Sequence, residues 1–196
     1  NAPIILTAEM GKADQAWANA LRREHYPVER NVVDAHITLF HHLPPAYLAE
    51  IKSRLSAITQ EYPKPDALVS DVMLLGNGVA FRVLSEELLS IREELASHFQ
   101  GLLIPQDQAP PRLHISIQNK VESPRAKALH KALSRGFSPR PLSIQDLVPI
   151  IIAAALGENW KLDISRLTTL DPPVTPAYSA ACFPAIDGIH AWYGEV

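Results

Sequence analysis

Hydrophobic and polar positions change period repeatedly along this chain, and each change marks a short element. Residues 3–9 form an apolar run of strand length, closed by Gly11. Over 13–25 the apolar residues Ala13, Trp17, Ala20 and Leu21 recur at helical spacing, and Pro27 ends the segment. Residues 35–40 alternate again and predict a strand. The next helix, over 46–61, places Leu48, Ile51, Leu55 and Ile58 on one side. A strand over 67–75 and a tight turn at Gly76-Asn77-Gly78 lead into a strand over 79–84. Ser85, followed by two glutamates, reads as the cap of a helix to about residue 99 with a stripe of Leu88, Ile91, Leu95 and Phe99. A proline-rich loop over 105–111 delivers a strand over 113–118. Ser123-Pro124 opens a helix that Gly136 ends. Residues 142–155 read as one long strand or two short ones, and 160–167 as an amphipathic edge strand.

The order strand, helix, strand, helix, strand thus occurs twice. Ile4 precedes His36 by 32 positions and Val79 precedes His114 by 35; Ala67 follows His36 by 31 and Leu142 follows His114 by 28. Two equivalent units, at about 3–76 and 78–156, related by a pseudo-twofold axis, would bring the middle strands to one central cleft. With the strand at 160–168 they make one domain over 1–170. A proline-rich extension over 171–196 follows, for which the sequence assigns no role.

Those middle strands carry the candidate chemistry. One reads Ala35-His36-Ile37-Thr38-Leu39-Phe40 and the other Leu113-His114-Ile115-Ser116-Ile117-Gln118. Side chains alternate across a strand, so His36 and Thr38 share one face, as do His114 and Ser116, while the aliphatic residues face a core. By the same parity Phe40 and His42 extend the working face of the first strand, and Arg112 and Gln118 that of the second. His41 falls on the opposite face, with a structural role. A single His-x-Thr or His-x-Ser in a strand is most often a histidine at a sheet edge beside a hydroxyl. A pair at equivalent places of a repeated unit is much harder to produce by accident.

Two facing imidazoles suit a reaction in which one proton leaves a nucleophile while another reaches a leaving group, because an unperturbed histidine titrates near 6.5. Phosphodiester cleavage has that geometry, with attacking and departing oxygens roughly in line. Thr38 and Ser116 could donate to the phosphoryl oxygens. No metal or other cofactor is needed. A metal site built from His36, His42 and His114 lacks a neighbouring carboxylate or cysteine pattern. Phe40 could stack on a base, and Arg112 could meet a phosphate.

Composition narrows the partners. The 196 residues carry a formal net charge of −3, against a broad basic face for long duplex nucleic acid, though not against a nucleotide or an RNA end. No apolar run is long enough to span a bilayer, and no membrane partner is expected. A lone Cys182 excludes an intrachain disulfide framework and points to a reducing, cytoplasmic setting. Oligomeric state leaves no mark in the sequence.

On the tetrads His36-Ile37-Thr38-Leu39 and His114-Ile115-Ser116-Ile117, the chain resembles the two-histidine (2H) phosphoesterase superfamily. That superfamily includes 2'-5' RNA ligase-like proteins and cyclic nucleotide phosphodiesterases. The resemblance implies a bilobal α+β fold with antiparallel sheets around a cleft. It also implies metal-independent hydrolysis of 2',3'-cyclic or 2'-5' phosphodiesters, reversible as ligation. His36 and His114 would share the acid and base roles, and Thr38 and Ser116 would bind phosphate. The segment Phe40-His41-His42-Leu43 departs from the shorter apolar and glycine ending of the RNA ligase-like members. The competing reading is a nucleotide or RNA binding module of the same fold without relevant turnover.

Overall fold

In the computed structural model, which describes residues 3–152 and 159–161, the alternating runs become strands of a sheet that closes on itself. The strands are β1 (Ile4–Met10), β2 (Ile37–Leu43), β3 (Asp66–Leu74), β4 (Val79–Leu84), β5 (His114–Gln118), β6 (Arg140–Ile152) and β7 (Asn159–Lys161). The helices are α1 (Lys12–His25), α2 (Leu48–Glu61), α3 (Glu86–His98), α4 (Pro105–Gln108) and α5 (Ser123–Ser134). The order β1-β2-β5-β4-β3-β6 returns to β1 through a β1–β6 pairing, and β7 adds outside on β6. Every pairing is antiparallel. The fold is therefore α+β, with one barrel-like ring where separate sheets were expected. Exchanging β1, β2 and β3 for β4, β5 and β6 leaves every pairing in the ring unchanged.

One face of the ring meets the helices. Ile4, Leu6 and Ala8 of β1, Ile37 and Leu39 of β2, and Phe81 and Ile115 of β4 and β5 are buried with Ile51, Leu55 and Ile58 of α2 and Leu88, Ile91 and Leu95 of α3. The helical stripes of α2 and α3 are as the spacing predicts. Ser85 caps α3 by accepting from the Leu88 N–H at 3.2 Å, satisfying one of the donors a helix start leaves open.

α1 behaves differently. Ala13 and Ala20 are exposed, and the residues it buries most deeply are Asp14, Ala18 and Arg22. This helix lies over irregular backbone whose polar groups need partners, so its inner face is polar. Trp17 and Leu21 still contact the core. Two further departures are local. Residues 105–108 form a short helix, with Pro105 in its first turn, where a plain loop was expected. β6 begins at Arg140, two positions before the expected strand. Most of the strand expected at 160–167 and all of the 171–196 extension lie outside the described residues.

The turn into β4 requires glycine twice. Gly76 has φ +54°, and a Cβ on Gly78 would stand 2.2 Å from the Gln118 carbonyl oxygen, because the start of β4 crosses closely against the end of β5.

Candidate active site

Ile37 of β2 pairs with Ile115 of β5. An antiparallel pair centred there sets His36 beside Ser116 and Thr38 beside His114, on the face opposite the two isoleucines. The two histidines then lie on a diagonal, with Cα atoms separated by about 7–8 Å in such a pair.

Both rings are held in the same way. His36 Nδ1 lies 2.8 Å from the Asp34 carbonyl oxygen, and His114 Nδ1 lies 2.6 Å from that of Arg112, two residues upstream in each case. A carbonyl only accepts, so each Nδ1 carries a hydrogen and donates it. Nε2 is left as the nitrogen free to take or give a proton.

The loop before β2 is fixed by one face of α1. Gln15 Nε2 donates to the Ala35 carbonyl at 2.6 Å, and Asn19 Oδ1 accepts from the Ala35 N–H at 2.7 Å. Arg22, one turn further, donates from Nε to Asn31 Oδ1, from Nη2 to the Val33 carbonyl and from Nη1 to the Ser116 carbonyl, at 3.1, 3.0 and 2.8 Å. One buried guanidinium therefore joins the approach to the first motif to the backbone of the second. Nothing in the apolar pattern of α1 reveals this; the signal is the polar series Gln15, Asn19, Arg22 at helical spacing.

His36 and His114 are both half-buried. Burial nevertheless pushes His36 down to about 4, against the pull of its bond to the Asp34 carbonyl, and the positive charges of Arg22, His114 and His41 act in the same direction as burial. Burial also pushes His114 below its ordinary value, opposed by its bond to the Arg112 carbonyl and reinforced by the charges of His41 and Arg112.

Strand parity fails beyond the hydroxyls, in both strands at the same place. Thr7 pairs with Thr38 but Leu6 pairs with Phe40, so β2 carries an extra residue there. Likewise Ala80 pairs with Ser116 but Val79 pairs with Gln118. Each bulge turns the next side chain to the core face. Phe40, expected at the substrate, is fully buried opposite Leu6 and carries Arg92 over its ring at 4.8 Å from the centroid. Gln118, also expected at the substrate, is buried with Nε2 3.4 Å from the His25 carbonyl.

β2 has a second bulge, which corrects the placing of His41. Ile4 pairs with Leu43 and Leu6 with Phe40, so His41 and His42 together oppose Ile5. Paired residues share a face, and Ile5 lies on that of Thr7 and Thr38. His41 therefore joins His42 on the cleft side. The peptide N–H groups of the bulge are taken by Asp107 of α4, whose Oδ1 and Oδ2 accept from the His41 N–H at 2.9 and 3.0 Å and whose Oδ2 accepts from the His42 N–H at 2.8 Å. Oδ1 also accepts from His41 Nδ1 at 2.9 Å. Burial alone would raise the Asp107 carboxyl; the bonds from the His41 ring and from the two N–H groups outweigh it and hold it below the usual range. Arg92 completes the bracing by donating to the Asp107 and Ala109 carbonyls. Arg112, two residues before β5, is exposed.

Among the described residues, no group of three or more His, Cys, Asp or Glu side chains is arranged to hold a metal ion, and no helix is long and apolar enough to cross a membrane. A family model described as the 2'-5' RNA ligase superfamily matches residues 11–152. The chain belongs to this superfamily. It is the 2H phosphoesterase superfamily, and both histidine tetrads lie inside the matched region. The superfamily includes phosphodiesterases and ligases that act on RNA or nucleotide phosphodiesters. None of the curated proteins matches the chain significantly.

Proposed function

We propose that this chain is a metal-independent phosphoesterase that hydrolyses 2',3'-cyclic or related 2'-5' phosphodiesters of nucleotides or RNA ends. The observation that carries the reading is the matched pair of Nδ1 hydrogen bonds, which leaves two Nε2 atoms available across one strand pair. His36 is the base, because burial pushes it down to about 4 and so leaves it neutral even in mildly acid solution. Its Nε2 takes a proton from water as the water oxygen bonds to phosphorus. The bond from phosphorus to O2' or O3' breaks in line with that attack, and His114, protonated on Nε2, gives its proton to the departing oxygen. Thr38 and Ser116 donate to the non-bridging oxygens, where charge is held through the transition state. With an RNA 5'-hydroxyl in place of water and departure of O3', the same transfers form a 2'-5' linkage.

The same reading takes residues 3–76 and 78–156 as a duplicated unit about a pseudo-twofold axis, within one domain over 1–170. The exchange symmetry of the strand pairings and the equivalent bulges at Phe40 and Gln118 support it. The lone Cys182 supports a cytoplasmic setting.

The test is a panel of 2',3'-cyclic nucleotides, 2'-5' linked dinucleotides and ADP-ribose cyclic phosphate, incubated with a chelator present. The expected result is conversion of at least one cyclic substrate to a phosphomonoester. Binding without product at every pH from acidic to mildly alkaline would instead favour the binding module.

A further inference from the structure

The row of side chains that crosses from Thr38 to His114 does not stop at β5. Arg82 of β4 pairs with His114, and Asp71 of β3 pairs with Arg82. Paired residues share a face of the sheet. The neighbouring pair, Phe81 with Ile115, is buried in the core, so Arg82 and Asp71 lie on the opposite face with His114. β3 carries an extra residue, Ser70, between Val69 and Asp71, and alternation along β3 alone therefore hides the row. The pair is braced. Arg82 Nε donates to the Asp71 carboxylate, at 3.1 Å from Oδ2 and 3.4 Å from Oδ1, and the Ser70 hydroxyl donates to Oδ2 at 2.7 Å. Only Nε turns to the carboxylate; the two Nη atoms make no hydrogen bond or ion pair among the described residues. Solvent reaches both side chains, which are 41 % and 50 % exposed. An arginine anchored through Nε presents its remaining N–H groups as a planar fork in one orientation. The carboxylate balances its charge, so the fork suits a neutral pair of acceptors better than a further phosphate. Arg82 and Asp71 stand one and two strand steps from His114, about 5 and 10 Å, the scale on which a nucleotide sets its base apart from its phosphate.

We propose that Arg82, positioned by Asp71, reads the base of the bound nucleotide and selects guanine. Of the two purines only guanine offers adjacent acceptors, O6 and N7, spaced for a guanidinium fork; adenine sets its N6–H2 donor where O6 would be. The Nη atoms of Arg82 donate to O6 and N7, and Asp71 holds the fork in the plane that receives them. This rests on the phosphoesterase reading above and names the base for it.

The experiment measures kcat/KM on the 2',3'-cyclic phosphates of guanosine, adenosine, cytidine and 7-deazaguanosine, the last lacking N7. The proteins are the wild type, Arg82→Met, Asp71→Ala and Asp71→Asn. In the wild type the expected result is a preference for guanosine of about tenfold or more over each of the others. Arg82→Met abolishes that preference by lowering guanosine to the level of adenosine. Asp71→Ala reduces it, and Asp71→Asn, which still accepts from Nε, restores most of it. Thermal unfolding identifies any loss that comes from misfolding, and the ratio between substrates is insensitive to it. A wild type that does not prefer guanosine, or that takes guanosine and 7-deazaguanosine alike, overturns the proposal. So does an equal loss on every substrate in Arg82→Met, which marks a contact to phosphate or a structural role. If the wild type turns over none of the four, the phosphoesterase reading fails on its own. The base subsite is then read by titration with guanosine 2'-monophosphate and adenosine 2'-monophosphate, where Arg82→Met must weaken only the guanosine nucleotide, and equal affinities in the wild type overturn it.

Discussion

From His36, β2 reads His-Ile-Thr-Leu-Phe, and from His114, β5 reads His-Ile-Ser-Ile-Gln. Each begins with a ring tied through Nδ1 to the carbonyl two residues before it, and each bulges after its hydroxyl residue. Beyond that point they part. β5 stops at Gln118, tucked under α1, whereas β2 runs on through His41 and His42 under the grip of Asp107. Their surroundings also differ. Burial pushes both rings down, and the charge of Arg22 adds to it at His36, those of His41 and Arg112 at His114. Equivalent strands thus hold equivalent nitrogens, and unequal neighbours surround them.

The largest effects test what the strands share. His36→Ala and His114→Ala are each expected to lower kcat/KM toward the upper end of the 10²- to 10⁴-fold range of general acid and base catalysis, measured on whichever cyclic substrate turns over best. Near-normal turnover in either variant removes that histidine from the chemistry. Thr38→Ala and Ser116→Ala are expected to cost less, about 10²-fold, as single donors to a phosphoryl oxygen. A loss in one without the other would break the equivalence of the strands.

The remaining predictions test what the strands do not share. Arg22→Met leaves three acceptors of the 31–33 loop and β5 unmet, and is expected to lower unfolding free energy by roughly 3 kcal/mol in denaturant titration. For pH, the productive free enzyme has His36 neutral and His114 protonated. The rising limb of kcat/KM therefore falls near 4, where His36 loses its proton, and the falling limb lies below 6.5, since His114 is also depressed. A profile centred above 6.5 would contradict this assignment. Stability carries the matching sign. Between about 4 and 6.5 the unfolded chain binds the proton that folded His36 refuses, so unfolding free energy at fixed temperature falls as pH is lowered through that window.

The sequence showed the elements because their apolar periods are strong. The stripes of α2 and α3 and the glycine turn at 76–78 appear where spacing put them. It put His36 with Thr38 and His114 with Ser116 on matching faces of neighbouring strands because these four lie before any bulge, where alternation holds. Phe40, His41 and Gln118 were misplaced for the same reason: an inserted residue flips parity, and its cause is tertiary, being the register against β1 and β4 and the carboxylate of Asp107. Asp107 itself sits 66 positions from His41 in a segment with no periodic signal. The closed ring was equally illegible, since β1 meets β6 only once the whole domain has folded.

The most direct measurement of the shared feature is the nitrogen-15 NMR titration of the imidazoles in the free protein. At pH 7 His36 is expected to be neutral, with the hydrogen on Nδ1 and Nε2 bare, and to titrate near 4, and His114 in its neutral form is expected to carry its hydrogen on Nδ1 as well. A hydrogen on Nε2 in either neutral ring, or a His36 that titrates at 6.5 or above, would contradict the acid and base pair described here.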